Sequence, residues 1–176
     1  MADEIGRTLE ALQTAVQMEI DGKEFYTKAS LESGNELGRK LLQTLSAEED
    51  LHRQRFEEIY RKIRDRKAWP DIEVPPDRSQ MLKTLFAAES EKIGTGTTVQ
   101  DTELDAVQTA MDMENRSLDF YKARETAATY PAEKAFFEAV AGEESVHHAL
   151  LLDYYEYLKD PEQWFSRKEH PSLDGG

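Results

Sequence analysis

One segment of this chain occurs twice. LEALQTAVQME, Leu9 to Glu19, returns as LDAVQTAMDME, Leu104 to Glu114, with Leu, Ala, Gln, Thr, Ala, Met and Glu in register. The offset is 95 residues (114 − 19). A repeat constrains architecture before any other feature, because each copy is one structural unit used again. This one runs deeper than a single segment. Six residues past each Glu stands a Phe-Tyr pair, Phe25-Tyr26 and Phe120-Tyr121. Further on, SAEEDLH carries Glu48, Glu49 and His52, and AGEESVH carries Glu143, Glu144 and His147, again 95 apart (144 − 49).

Apolar residues recur with helical period through four long segments. The first spans about Asp3 to Glu32, with Ile5, Leu9, Leu12, Val16, Ile20 and Phe25 on one side. SGNELG interrupts it. The second spans about Glu36 to Lys67 and ends in a basic turn, which suits a helix C-terminus. AWPDIEVPPDRS, Ala68 to Ser79, holds three of the six prolines and cannot be regular helix. A short helix is expected over about Gln80 to Ile93, then a flexible break at GTGTT. The third long helix is expected from Asp101 to about Thr129. The fourth starts at Pro131, since proline fits a first helical position, and runs to about Lys159.

Two helix pairs with short turns, joined by a connection long enough to recross the bundle, predict an all-α, ferritin-like four-helix bundle with one long crossover carrying an extra short helix. Residues 1–160 form that domain. Residues 161–176 are expected to be an irregular tail, docked by Trp164 and Phe165.

Composition removes several chemistries. There is no cysteine, which excludes disulfides, thiolate zinc sites and cysteine-ligated iron–sulfur centres. Any metal must be held by His and carboxylate. The net charge of −14 repels nucleic acid and anionic membrane and attracts cations. MADEIGRTLE is acidic without an apolar core, so no signal peptide is expected. No apolar run approaches the ~18 residues of a membrane span. A cytoplasmic protein is the resulting expectation.

The spacing then specifies a site. Residues at i and i+3 share a helix face, so Glu49 projects with His52 and Glu144 with His147. Within each half the two Glu are 30 residues apart (49 − 19 and 144 − 114), about half on each helix of a hairpin, so they lie at one height. One Glu from each of two helices and a Glu-x-x-His from each of the other two is the ligand set of di-iron and di-manganese carboxylate bundles. Glu19, Glu49, His52, Glu114, Glu144 and His147 are the expected metal ligands. Four carboxylates and two neutral imidazoles balance two divalent ions, as a buried site requires. Oxygen-rich ligation with one imidazole per ion suits iron or manganese, whereas zinc, a further substitute, usually takes fewer oxygens.

Tyr26 and Tyr121, two turns beyond Glu19 and Glu114, are placed to hydrogen-bond a liganding carboxylate or to form an aromatic core layer. Glu24, Glu48 and Glu143 read as solvated, His148 as a non-ligand, and Met18 and Met113 as core. His170 carries no information.

These paired motifs, E…FY and E-x-x-H each present twice over roughly residues 4 to 160, resemble the rubrerythrin branch of the ferritin-like superfamily. The resemblance implies a carboxylate-bridged di-iron site that reacts with peroxide or oxygen, with the same six residues as ligands. Two departures are visible. Rubrerythrins carry a four-cysteine rubredoxin module, which a cysteine-free chain lacks. They also carry an extra Glu three residues after the third-helix ligand, where this chain has Ser117. The site is therefore symmetric, as in a ferroxidase centre. The implied function is a di-iron oxidoreductase reducing peroxide or oxygen with electrons from an external donor protein. A ferroxidase or iron-storage protein taking ferrous iron as substrate is one alternative, and a metal-stabilised structural or regulatory bundle is another. A homodimer is expected by the same resemblance.

Overall fold

The structure, a computed structural model, describes residues 2–66, 69–70, 78–92 and 101–169. Its helices are α1 (Ala2–Glu32), α2 (Glu36–Arg66), α3 (Ser79–Ser90), α4 (Asp101–Ala127), α5 (Pro131–Lys159) and α6 (Pro161–Glu169). Among the described residues there is no strand, and no helix is long and apolar enough to cross a membrane. The all-α, ferritin-like bundle is as expected: α1 packs on α2, α4 on α5, α1 on α4, and α2 on α5. Short α3 lies against α2 and α5. Most of the proline-rich connection, the GTGTT break and His170 lie outside the described residues.

Local chemistry explains the hairpins. Between α1 and α2, the Asn35 side chain accepts the backbone N–H of Leu37 at 2.8 Å, an N-cap that starts α2. Tyr130 stands extended before Pro131, so α5 begins at its proline.

Residues 161–169 correct the expectation of an irregular tail. Asp160 accepts the backbone N–H of Gln163 at 2.9 Å and Pro161 follows it, a capped helix start. Trp164 is buried, packs edge-on against Tyr157 at 5.3 Å, and donates its indole N–H to Asp153 at 2.8 Å.

Two apolar clusters fill the bundle. One joins Tyr26, Leu41, Leu45, Val107, Leu151 and Tyr154 to Leu82 and Phe86 of α3. The other holds Leu12, Phe56, Ile59, Tyr121, Phe136 and Val140. Along each long helix, the residues between its contributions to the two clusters include the predicted ligands: Glu19, Glu49 and His52, Glu114, Glu144 and His147. The apolar pattern thus leaves one polar layer at mid-height on all four helices.

A second buried polar group closes one end. Glu103 accepts hydrogen bonds from Ser33 and, at 2.7 Å, from Tyr154. Gly38 lies against it: a Cβ there would stand 2.0 Å from Tyr154 Oη. Gly142, by contrast, is exposed with open space around it. Two glycine-to-alanine changes on helices should therefore have opposite signs. Gly38→Ala is expected to destabilise by about 1–3 kcal/mol through overpacking. Gly142→Ala is expected to stabilise by about 0.5–1 kcal/mol through helix propensity. Denaturant unfolding of both variants measures the contrast.

Candidate metal centre

The structure brings all six predicted residues together. None is more than 5% exposed, which places four carboxyl groups and two imidazoles in a water-poor layer. Their donor atoms form two sets. Glu19, Glu49, His52 and Glu144 are one; Glu49, Glu114, Glu144 and His147 are the other. Within each set the donor atoms lie within 4.8 Å of one another. Glu49 and Glu144 belong to both sets, while each set has its own imidazole and its own further Glu. The two rings face each other, centroids 5.6 Å apart and 19° from parallel.

These contacts are not a satisfied hydrogen-bond network. His52 Nδ1 stands 3.1 Å from Glu144 Oε1 and 3.3 Å from Glu19 Oε2. His147 Nδ1 stands 3.4 Å from Glu49 Oε1 and 3.7 Å from Glu114 Oε2. Yet Glu19 Oε2, Glu49 Oε1, Glu114 Oε2, Glu144 Oε1 and both Nδ1 atoms are buried without a hydrogen-bond partner among the described residues. Orphaned buried donors and acceptors are costly and need an explanation. Donors each about 2.1 Å from a shared ion stand about 3–3.5 Å apart, so these separations suit ligands of a common ion.

The charge is equally unresolved. Burial raises Glu49 well above the usual carboxylate range, and Glu19 and Glu144 add to it. Glu114 is pushed up to about 8, by burial first and then by Glu144. Burial raises Glu144 too, but the adjacent Glu114 carboxyl and the His147 and His52 rings outweigh it and hold that carboxyl well below its ordinary value. Burial lowers both imidazoles, yet the surrounding carboxylates win, and His52 and His147 stand well above the usual histidine value. Without cations, the layer retains protons.

The tyrosines bond carboxylates, but in a crossed pattern that same-face spacing does not show. Tyr26 of α1 donates to Glu114 of α4, and Tyr121 of α4 donates to Glu19 of α1. Burial, and then the charge of the bonded glutamate, keeps both phenols protonated far above their ordinary pKa. Phe56 stacks on Tyr121 at 5.4 Å and fixes its ring.

Several expectations need correction. Glu48 and Glu143 are buried, not solvated. Glu48 pairs with Arg78 at 3.0 Å; Glu143 meets His52 Nε2 at 2.7 Å and Arg55 at 3.0 Å. Each gains a cationic or N–H partner from another part of the chain, which compensates its burial. Their presence in both copies of the repeat was the available signal. Glu24 is exposed as expected, and His148 is half-buried outside the cluster. Met18 and Met113 are half-buried at the bundle's flank. Gly22 carries no signal in the sequence pattern, yet a Cβ there would stand 2.8 Å from Glu49 Oε2. Its repeat counterpart is Ser117 (117 − 22 = 95), so both copies keep a small residue one turn past the Glu.

The family model for rubrerythrin matches residues 10–99, just over half of the chain. The chain belongs to the rubrerythrin family. No curated protein and no solved structure matches it. The matched residues contain the α1 and α2 half of the donor set, Glu19, Glu49 and His52, and the internal repeat supplies the other half. Family and cluster together fit a carboxylate–histidine metal site of the di-iron kind.

Two predictions arise from this geometry. In the unfolded chain Glu114 ionises near 4.5, and in the folded chain near 8. Between those values the folded chain keeps a proton that the unfolded chain has lost. Rising pH therefore favours unfolding, by about 1.4 kcal/mol per pH unit for each such proton. The raised Glu49 and histidines act in the same direction. Calorimetry should show metal-free protein losing stability from about pH 5 to pH 8, and a bound divalent ion removing most of that loss. Separately, Gly22→Ala pushes a methyl into Glu49. It should weaken divalent-metal binding about tenfold or more with helix content unchanged, read by titration calorimetry and circular dichroism.

Proposed function

We propose that this protein is a non-haem di-iron oxidoreductase that reduces peroxide or oxygen with electrons from an external donor protein. The observation that carries the reading is the pair of overlapping donor sets sharing Glu49 and Glu144. Glu19 and His52 would complete one position, Glu114 and His147 the other, and Glu49 and Glu144 would bridge them. Four carboxylates and two neutral imidazoles then balance two divalent ions, which relieves the repulsion that pushes Glu49 and Glu114 up. Hard oxygen donors with one nitrogen per position favour iron or manganese over four-coordinate zinc. Two ferrous ions held by these six residues would supply two electrons, enough with two protons to reduce one hydrogen peroxide to two waters.

The chain's own groups prepare that chemistry. Tyr26 and Tyr121 fix the outer carboxylates of Glu114 and Glu19 by hydrogen bonds from permanently protonated hydroxyls. The apolar clusters above and below hold water away from the layer, which strengthens every electrostatic interaction in it. These 176 residues contain no cysteine, so the donor's redox centre is not cysteine-ligated within them. A homodimer in the cytoplasm is part of the same proposal.

A ferroxidase reading has its own support. Ser117 stands where a rubrerythrin has its extra Glu, which leaves the two donor sets matched, one imidazole and three carboxylates each. Anaerobic ferrous titration followed by hydrogen peroxide tests both. Two irons per chain are expected, with one peroxide consumed per pair and rapid growth of near-ultraviolet ferric absorption. Sustained peroxide consumption with a reductant supports the oxidoreductase. Continued uptake and oxidation of added ferrous iron without a reductant supports the ferroxidase. Iron bound but never oxidised overturns both in favour of a structural bundle.

A further inference from the structure

The repeat makes Glu48 and Glu143 equivalent, each one residue before a bridging Glu, as it makes His52 and His147 equivalent (offset 95). A faithful two-fold arrangement would have each glutamate serve the imidazole of the other half. The structure does this on one side only.

His52 presents Nδ1 to the donor cluster, and its outer nitrogen, Nε2, donates to Glu143 Oε2 at 2.7 Å. The same oxygen accepts from Arg55 Nη1 at 3.0 Å. Ring, carboxylate and guanidinium form a chain from the centre to the edge of the bundle, and each member fixes the next. His147 also presents Nδ1 to the cluster, but its Nε2 is buried with no hydrogen-bond partner among the described residues. Its candidate partner, Glu48, is tied elsewhere, with Oε1 3.0 Å from Arg78 Nη2.

Sequence explains the break. The repeat counterpart of Arg55 is residue 150 (55 + 95), and that residue is Leu150, a buried member of the apolar cluster. The second half has no arginine at that position to hold a glutamate against His147. The crossover supplies Arg78 just ahead of α3, and Arg78 holds Glu48 toward α3 instead.

A ligand imidazole whose outer N–H is bonded to a carboxylate has its tautomer and ring orientation fixed and is the more basic donor. Given the di-metal reading above, we infer that the two metal positions are unequal: the one served by His52 binds first and tightly, and the one served by His147 is the weaker position that exchanges its ion with solution. Glu143 is the positioning residue that makes the difference, and Arg55 holds Glu143 in place.

The test uses the full metal-free chain titrated anaerobically with cobalt(II), followed by calorimetry and visible absorption. The expected result is two steps of one ion each, separated by about ten- to a hundredfold in affinity. His52→Ala should remove the tight step and His147→Ala should leave it. Glu143→Ala should bring the first step down to the affinity of the second without moving the second. Glu143→Gln, whose amide oxygen still accepts from Nε2, should restore most of the difference. Glu48→Ala should leave the tight step in place. Should Glu143→Ala fail to fold, Arg55→Leu carries the test, because it copies residue 150 and should also weaken the first step alone. Two ions of equal affinity in the unmodified chain overturn the inference, as does a Glu143→Ala effect spread equally over both steps. A chain that binds no cobalt overturns the metal-centre reading itself.

Discussion

The repulsion among Glu19, Glu49, Glu114 and Glu144 organises this protein. Carboxylates rarely accumulate in an interior, because burial of one unpaired charge costs more than most single contacts return. Here four converge at mid-height with only two imidazoles beside them. Everything around them reads as a means of holding that arrangement in place. Apolar clusters sit on both sides, so each helix is anchored above and below its acidic residue. The outer ring of Tyr26, Tyr121, Glu143 and Arg55 fixes directions that repulsion would otherwise scatter. The raised Glu49 and Glu114, and the raised histidines, show the same tension in the absence of cations.

Fold and centre depend on each other in a specific way. The donors come from four helices in two hairpins, and the hairpins meet through the polar layer as well as through the apolar ones. Neither hairpin contains a complete donor set: His52 needs Glu144, and His147 needs Glu49. Ion binding would therefore couple to packing of the two hairpins against each other, so that part of the binding free energy is folding free energy. The far-end network of Ser33, Glu103 and Tyr154 has a different character. It is satisfied by its own hydrogen bonds, ties the α1–α2 turn to α4 and α5, and leaves no orphaned carboxylate that calls for a cation.

Much of this was legible in the amino acids, for identifiable reasons. Helical period marks helices whether or not they touch anything, and a 95-residue offset marks which faces are equivalent. Together they placed the six donors at one height. What escaped was information that depends on contact between distant segments. Spacing puts Tyr26 on the face of Glu19, but which glutamate its hydroxyl meets depends on how α1 leans on α4. Glu48 and Glu143 sit about 100° around their helices from Glu49 and Glu144 beside them, so they read as outward-facing. They are buried because other parts of the chain cover them, α3 and its leading Arg78 in one case and His52 with Arg55 in the other. Gly22 and Gly38 carry no pattern at all; only the atoms opposite them give them a role. The helix from Pro161 to Glu169 had a readable start in Asp160-Pro161, which the surrounding polar composition obscured.

The crossed tyrosine bonds have a consequence for symmetry. Tyr26 reaches Glu114 and Tyr121 reaches Glu19, so the two hairpins recognise each other by the same contact made in both directions. That is the defining property of an isologous interface, where one surface is complementary to a copy of itself. A single α1–α2 hairpin holds a tyrosine, the glutamate such a tyrosine seeks, and three of the six donor residues, Glu19, Glu49 and His52. Two copies of such a hairpin, paired about a two-fold axis, would already enclose the same centre. The present chain makes that arrangement within one polypeptide, with the crossover joining the two hairpins. Halves carried on one polypeptide need not be identical, and Arg55, whose repeat counterpart is Leu150, is one place where they differ.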